Sequence, residues 1–478
     1  MTEACTNKGF QNPPAVRVQM VDERGRRLAG ADVESTSSRF KIRGFGPWEL
    51  TVPRTVYPPR EDTELLGRAL LRLSGRQGSA SEIGCGSGAI SILLASMGWE
   101  VSACDVNPFA VAATRGNVER AGFEDLVSVE EGGPKEPGWR LQQGVSLVVW
   151  NLPYLSPSKH DSPTLEPIEE ASVSDVPEGW SNLLLGLMDD GTIDPECLVV
   201  MLHRTDPDSP SMPLGWIHGG WSCRRLDGMR IGDERLEVMC YWRPAAGEPV
   251  KVVEECESTM DEAKRLAEGG WQRVLSQSQT SGRGRGGSSW ETLEGGLACT
   301  WNLPRSCLDR HSPGLIQTAI GAAVSNDLDC HAKWPNDLVT ADGRKLGGVL
   351  LEASSEDRCI RAGIGLNQSK GRVGGEPVAG WDESIGMKSA MRVFEMLDSS
   401  ISSLFENHPL VPCVSDEELV ALSWRALSKS LSIGVDISLR GKPVRAVGLS
   451  PEGHLLAESG GEERGVSAVG GLEWAPVL

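Results

Sequence analysis

Short apolar runs alternate with glycine turns and helical patches through the first half of the chain, and their order predicts a fold. A run ending at Ile83 leads into the glycine turn Glu82 to Gly88 (E-I-G-C-G-S-G), after which Ala89 to Met97 reads as an apolar helix. Val101 to Asp105 reads as a second strand, closed by Asp105-Val106-Asn107-Pro108, and a helix runs on to Ala121. Val145 to Trp150 is almost wholly apolar, as a parallel strand buried on both faces requires. Leu198 to Leu202 and Glu237 to Trp242 are late strands of the same sheet, with Pro207 to Gly220 between them as a loop. Strand, glycine turn, helix and strand ending in an acid is the βαβ order of a nucleotide-binding α/β sheet. Upstream, residues 1 to 55 are weakly patterned, with Val16 to Met20 and Trp48 to Val52 as short strand candidates. Pro58 and Pro59 stop extended chain before Asp62 and Thr63 open a helix.

Arg243 to Val250 is a linker by composition, and a different, α+β pattern follows it. Ser258 and Thr259 suit the N-cap of a modestly amphipathic helix from Met260 to Glu268. Arg273 to Ser276 reads as a strand delivering the chain to Gln279 and the loop Thr280 to Trp290; Leu297 to Leu303 is another strand and Pro313 to Leu328 a helix. Asp342-Gly343 is a turn between two β-prone runs, and the hairpin it predicts brings Lys333, Asn336 and Asp337 on one strand near Lys345 on the next. Val373 to Asp382 reads as a loop, Lys388 to Glu406 and Asp416 to Leu427 as helices, and Ser432 to Trp474 as short β runs with glycine turns. The expected segments are 1–242, a linker 243–250, 251–428 and a small β domain 429–478.

Composition narrows the classes. At 478 residues the chain exceeds one ordinary core. Its net charge of -19, from 47 basic and 66 acidic residues, disfavours unspecific binding to nucleic acid or anionic lipid. No apolar run approaches the ~18 residues of a membrane span, and Met1 to Phe10 lacks the apolar block of a signal peptide, so a cytoplasmic protein is expected. Twelve cysteines without a C-x-x-C pair and seven histidines without an H-x-x-x-H pair give neither a disulfide framework nor a zinc signal.

Candidate chemistry sits at a few places. The glycines of Glu82 to Gly88 let backbone approach a ligand over a helix N-terminus, and Asp105 can accept hydrogen bonds from ribose hydroxyls. A tight turn alone would account for the glycines, but not for their position between strand and helix. Asn151-Leu152-Pro153-Tyr154, at the end of a central strand, can clamp an NH2 group by the Asn151 side chain with Tyr154 stacked on it; a strand-ending turn fits the same residues. Thr280 to Trp290 has four glycines, two arginines and no apolar residue before Trp290. Such a run suits a mobile loop over an anion, or a plain Gly/Ser linker. Its Gly282, Gly284 and Gly287 match a dinucleotide fingerprint only formally, because no amphipathic helix follows. Converging Lys333, Lys345 and Asp337 suit phosphate and a metal ion, though a solvated strand face would look similar.

With these residues in place, two resemblances emerge. Glu82 to Gly88, Asp105 to Pro108 and Asn151 to Tyr154 resemble the motifs of class I S-adenosylmethionine (SAM)-dependent methyltransferases. With V-Y-P-P-R-E-D-T, Val56 to Thr63, they resemble the HemK-like branch, which methylates a glutamine amide of a peptide release factor. The resemblance covers about residues 40 to 242 and implies a Rossmann-like sheet. It implies SAM contacts from Thr63, Glu82, Gly84, Gly86, Gly88 and Asp105, and an acceptor amide held by Asn151, Pro153 and Tyr154, with Asn151 catalytic. The branch has proline where this chain has Leu152, and N-L-P-Y is also the form of rRNA adenine dimethylases, which leaves adenine as an alternative acceptor. The branch also implies a small activator subunit.

E-S-T at 257–259, Q-T-S-G-R-G-R-G-G-S-S-W at 279–290, K-W-P-N-D at 333–337, G-R-K-L-G-G at 343–348 and G-I-G-L-N at 363–367 resemble, in order, the signature of biotin–protein ligases. The resemblance covers about residues 251 to 478 and implies a class II synthetase-like catalytic domain with a small SH3-like carboxy-terminal domain. It implies that Ser258, Thr259 and Gln279 bond the biotin ring, and that Gly282, Arg283, Gly284, Arg285 and Gly287 close over the carboxylate and α-phosphate. Trp290 then packs on adenine, Lys345 and Gly348 hold the acyl-adenylate, and Lys333, Asn336, Asp337 and Asn367 line the nucleotide and Mg2+ side, with Arg285 and Lys345 catalytic and Asp337 on the metal. Gly286 and Ser288 stand where many members have arginine. The substrates implied are biotin, ATP and a biotin carboxyl carrier protein; the loop argues against a lipoate ligase, and no DNA-binding helix-turn-helix precedes the domain. The expectation is a bifunctional enzyme, or a ligase whose methyltransferase-like half is a docking module.

Overall fold

The computed structural model describes residues 16–17, 34–74, 78–155, 174–189, 193–266, 269–353, 359–467 and 472–476. The chain divides into two compact units, one of residues 1–219, 224–242 and 409–411, the other of 220–223, 243–408 and 412–478.

The first unit is built on a seven-stranded sheet. An antiparallel hairpin of β1 (Glu34–Ile42) and β2 (Phe45–Pro53) precedes it, with the two-residue strand Val16–Arg17 against β1. Helix α1 (Glu61–Leu70) follows the prolines. Then come β3 (Ser79–Ile83), α2 (Ala89–Ser96), β4 (Glu100–Asp105), α3 (Pro108–Ala121), β5 (Val127–Glu131), β6 (Leu147–Asn151), α4 (Trp180–Met188), β7 (Leu198–Asp206), β8 (Ser222–Ile231) and β9 (Glu234–Trp242). The sheet order is β5-β4-β3-β6-β7-β9-β8, parallel from β5 to β7, with β9 antiparallel to β7. Chain order reverses between β3 and β6, and at such a switch point the loops leaving adjacent strands diverge and open a crevice. Leu147, Val148 and Val149 are fully buried, which their apolar run foretold.

The second unit contains β10 (Lys251–Cys256), α5 (Thr259–Lys264), β11 (Gln272–Gln279), β12 (Leu297–Pro304), α6 (Pro313–Asp327), β13 (His331–Lys333), β14 (Asp337–Val339), β15 (Lys345–Glu352) and β16 (Cys359–Leu366). Its main sheet runs β10-β11-β12-β16-β15-β14-β13, antiparallel except for β10 on β11. Helix α6 has Ser312 accepting from Leu315 N at 3.2 Å and Pro313 in its first turn, the two features that start a helix cleanly. It buries Leu315, Ile316, Ala319 and Ile320. Helices α7 (Ala390–Phe405) and α8 (Asp416–Ser432) follow, then a five-stranded sheet of β17 (Val435–Leu439), β18 (Lys442–Leu449), β19 (Leu455–Ser459), β20 (Glu462–Val466) and β21 (Leu472–Pro476), ordered β20-β19-β18-β17-β21.

Several expectations change. Residues 207 to 220 hold a helical turn, Leu214–His218, and β8 was not foreseen. Residues 373 to 382 are not all loop, because Gly371–Val373 and Glu376–Val378 pair as a hairpin. The described part of the helix after Ser258 ends at Lys264; Ala267 and Glu268, and Val18 to Met20 of the first strand candidate, lie outside the described residues. No helix among the described residues is long and apolar enough to cross a membrane.

Candidate functional sites

In the second unit a cavity of about 850 Å3 opens beside β15 and β16. Ser258 caps α5, its Oγ accepting from Met260 N at 3.3 Å. That cap turns Thr259 toward Gln279 at the end of β11, and Gln279 Oε1 accepts from Thr259 N at 2.8 Å and from Thr259 Oγ1 at 3.1 Å. Thr300 Oγ1 donates to Thr259 Oγ1 at 2.8 Å, so the polar end of the cavity is fixed from three elements. The Thr280 to Trp290 segment is an ordered strap and not a free linker: Gly282 and Arg283 pair with Trp290 and Ser289, and Gly284 N donates to Ser288 O at 2.6 Å. Gly286 has φ +65°, a left-handed conformation that disfavours any side chain there. The Trp290 ring lies on Gly365 of β16, where any side chain would meet it.

The predicted two-strand hairpin is in fact three strands. Lys333 ends β13, Trp334, Pro335 and Asn336 form a turn, and Asp337 begins β14, since Pro335 has no N–H to continue a ladder. The turn nevertheless sets Asp337 against Lys345, with Nζ to Oδ1 at 2.7 Å, and Asn336 Nδ2 donates to Val349 O at 3.2 Å. Lys345 Nζ also stands 5.8 Å from the Trp290 ring centre. Ser258, Thr259, Gln279, Arg283, Gly284, Arg285, Trp290, Lys333, Asn336, Asp337, Lys345 and Gly348 all line the cavity, whereas Gly282, Gly287 and Asn367 are not among its walls. Two of the lining cations, Arg285 and Lys333, have no side-chain partner among the described residues. Sequence reading missed Leu472 to Ala475 of β21, which complete one wall and carry no motif to announce them.

In the first unit a narrower cavity of about 140 Å3 sits where β3, β4 and β6 end. Asp105 Oδ2 accepts from Gly86 N and its Oδ1 from Asn107 N, each at 2.9 Å. Burial raises the Asp105 carboxyl nonetheless. Glu82 is buried and accepts from Ser91 Oγ, and burial pushes its carboxyl up to about 8. Asn151 Nδ2 donates to Asp62 Oδ2 at 3.1 Å, which fixes the amide and leaves Asn151 Oδ1 buried without a partner. Thr63, Glu82, Gly84, Gly86, Asp105, Asn151 and Pro153 line this cavity; Gly88 and Tyr154 do not. Gly88 instead starts α2 at φ +81°, where a Cβ would press on Thr114 at 2.9 Å. Tyr154 packs at the edge of the core, where burial raises its hydroxyl. Leu152, the departure from the release-factor pattern, is 1% exposed and absent from the walls. In the sequence Asp62 reads only as a helix-opening acid and Trp150 only as the end of a strand, and nothing singles out Trp180; the two tryptophans wall the cavity 5.8 Å apart. Among the described residues no group of three or more His, Cys, Asp or Glu is placed to hold a metal ion.

Comparison with known proteins matches part of the second unit to a family. Residues 257–369 match the biotin/lipoate A/B protein ligase family. The chain carries a domain of that ligase family. A human protein named biotin–protein ligase is 35% identical over 107 residues, 20% of this chain and 15% of the relative. A release factor glutamine methyltransferase from Dictyoglomus turgidum is 32% identical over 112 residues, 23% of this chain and 40% of the relative. The chain thus spans less than half the length of either. Among solved structures, biotin protein ligase from Aquifex aeolicus in complex with biotin and ATP is 21% identical with a TM-score of 0.37, covering 48% of this chain and all of that one. The chain thus combines a segment, residues 257–369, that matches the ligase family with a part similar in sequence to methyltransferases.

Proposed function

We propose that the ligase-family half joins biotin to ATP to form biotinyl-5′-AMP and passes the biotinyl group to a lysine of a carrier domain. The observation that carries this is that Arg285 and Lys333, cations with no side-chain partner among the described residues, line the same 850 Å3 cavity as the neutral cluster of Ser258, Thr259 and Gln279. A neutral ring with hydrogen-bonding groups suits the cluster, and a carboxylate with phosphates suits the cations. Lys345 neutralises charge where the carboxylate oxygen meets the α-phosphorus, and Asp337, bonded to Lys345 at 2.7 Å, would be the carboxylate that helps hold Mg2+, which would supply further neutralisation of the phosphates. Pyrophosphate leaves; the lysine amine then attacks the acyl carbon and AMP leaves. The domain reading that accompanies this is a class II synthetase-like body with an SH3-like end. Incubating the full chain with biotin and Mg-ATP should yield biotinyl-5′-AMP by mass spectrometry, and its absence would defeat the proposal.

The same reading gives the first half a Rossmann-like methyltransferase fold that moves a methyl group from SAM to a glutamine amide of a release factor, with a small activator subunit as its partner. The orphan Asn151 Oδ1, oriented by Asp62, supports it, because a buried acceptor awaits a donor such as an amide NH2. Glu82 and Asp105 suit the ribose end. At about 140 Å3 the cavity is below the roughly 300 Å3 usual for ligand pockets, so on this reading SAM binding widens it. Calorimetry should show SAM binding that is weakened at least about tenfold by Asp105→Ala. No binding by the wild-type chain would favour a docking module instead.

A further inference from the structure

Arg283 does not stand as the resemblance assigns it. Its guanidinium is gripped by two carboxylates at once. Nη1 and Nη2 meet Asp261 Oδ2 and Oδ1 at 2.8 and 3.2 Å, and Nε and Nη2 meet Glu352 Oε1 and Oε2 at 2.8 and 3.1 Å. Each pair is the fork-on-fork geometry that makes arginine–carboxylate bonds directional. The three residues come from three different elements, and Arg283 is the one that lines the cavity. Asp261 lies in the first turn of α5, directly after Thr259 and Met260; Glu352 ends β15, the strand that begins with Lys345; Arg283 lies in the strap itself. Arg285, two residues on, has no such bonds among the described residues, and the two arginines of the strap therefore do different work.

We propose that Arg283 is the latch of the strap: clamped between Asp261 and Glu352, it holds residues 282–290 over the cavity, and Arg285 alone delivers the strap's positive charge to the ligand. This deepens the ligase reading and rests on it. Three observations converge. The five donors of a guanidinium lie on three nitrogens, and four of them are engaged by the two carboxylates, which leaves one for a phosphate. The strap has glycine and serine at 286 and 288, so it lacks the extra cations that would draw it onto an anionic intermediate. The clamp supplies an attachment that does not depend on the ligand. Because the side chains are about a third exposed, neither ion pair is strong alone; closing on two carboxylates together gives one ordered anchor, the second pair costing little further side-chain entropy.

The latch makes a distinction between holding the intermediate and making it. In the full chain, Asp261→Asn with Glu352→Gln should release preformed biotinyl-5′-AMP at least about tenfold faster than wild type. The KM for biotin should rise more than the saturating rate of biotin-dependent pyrophosphate exchange falls. Arg283→Lys, which keeps the charge but loses the fork, should fall between wild type and the double variant. Hydrogen exchange of residues 280–290 without any ligand supplies a readout free of the ligase reading, and it should quicken in the double variant. Unchanged exchange and unchanged adenylate release would overturn the latch, as would Arg283→Lys abolishing adenylation while the double variant adenylates normally. A wild-type chain that makes no adenylate yet shows quickened exchange in the double variant would defeat the ligase reading and leave the latch standing.

Discussion

Replacing Lys345 by alanine should lower biotin adenylation by about 10²- to 10³-fold, the scale of removing one pre-placed charge from a transition state. The geometry makes the loss double. Lys345 Nζ is the group bonded to Asp337 Oδ1 at 2.7 Å, and without it Asp337 faces the incoming carboxylate and phosphates as a bare like charge. Lys345 is not a core residue: its side chain is 44% exposed, so the variant should unfold within a few degrees of wild type. Adding Asp337→Asn to Lys345→Ala should recover part of the biotin KM, because the repulsion goes, but not the rate. Pyrophosphate exchange at saturating biotin and ATP measures this, and a Lys345→Ala rate within threefold of wild type would show that the lysine does no electrostatic work there.

Asp398→Ala should cost the second unit about 3–5 kcal/mol, the scale of stripping one partner from a buried ion pair. Asp398, on α7, is buried against the main sheet, and its carboxylate accepts from Trp271 Nε1 at 2.9 Å, Trp301 Nε1 at 2.8 Å and Arg273 Nε at 3.0 Å. Burial alone raises that carboxyl, and the arginine and the two indoles act against the rise. Alanine leaves the 7% exposed Arg273 charge and two indole N–H groups in a dry core. Asp398→Asn keeps one acceptor oxygen and should cost less. Denaturant unfolding followed by tryptophan fluorescence gives the two values, and a cost below about 1 kcal/mol for alanine would mean the cluster is solvated or rearranges.

Much of this was legible in the residues because the physics is local. The run from Val145 to Trp150 had to be buried on both faces; Ser258 and Ser312 had to cap; the glycines at 84, 86 and 88 had to turn a strand into a helix. What was not legible depends on pairing across sequence distance. The three-strand course of Lys333 to Glu352 turns on where Pro335 interrupts a ladder, and Arg283 gave no sign that residues 22 positions before and 69 after it would take its charge. Asp62 looked like a helix-opening acid, and only the fold shows it aiming the amide of Asn151, 89 residues away. The wall supplied by β21 comes from a strand whose residues have no chemistry of their own to advertise. Leu152 is the reverse case: it looked like a change to the acceptor site and proves to be a core residue.

The central claim, that the cavity of the second unit activates biotin and gives it to a carrier, is tested most directly by incubating the full chain with biotin, Mg-ATP and a purified biotin carboxyl carrier domain. The account predicts a carrier heavier by one biotinyl group on one lysine, dependent on ATP and lost with Lys345→Ala. An unmodified carrier under the same conditions, alongside a chain that binds neither biotin nor ATP, would contradict it.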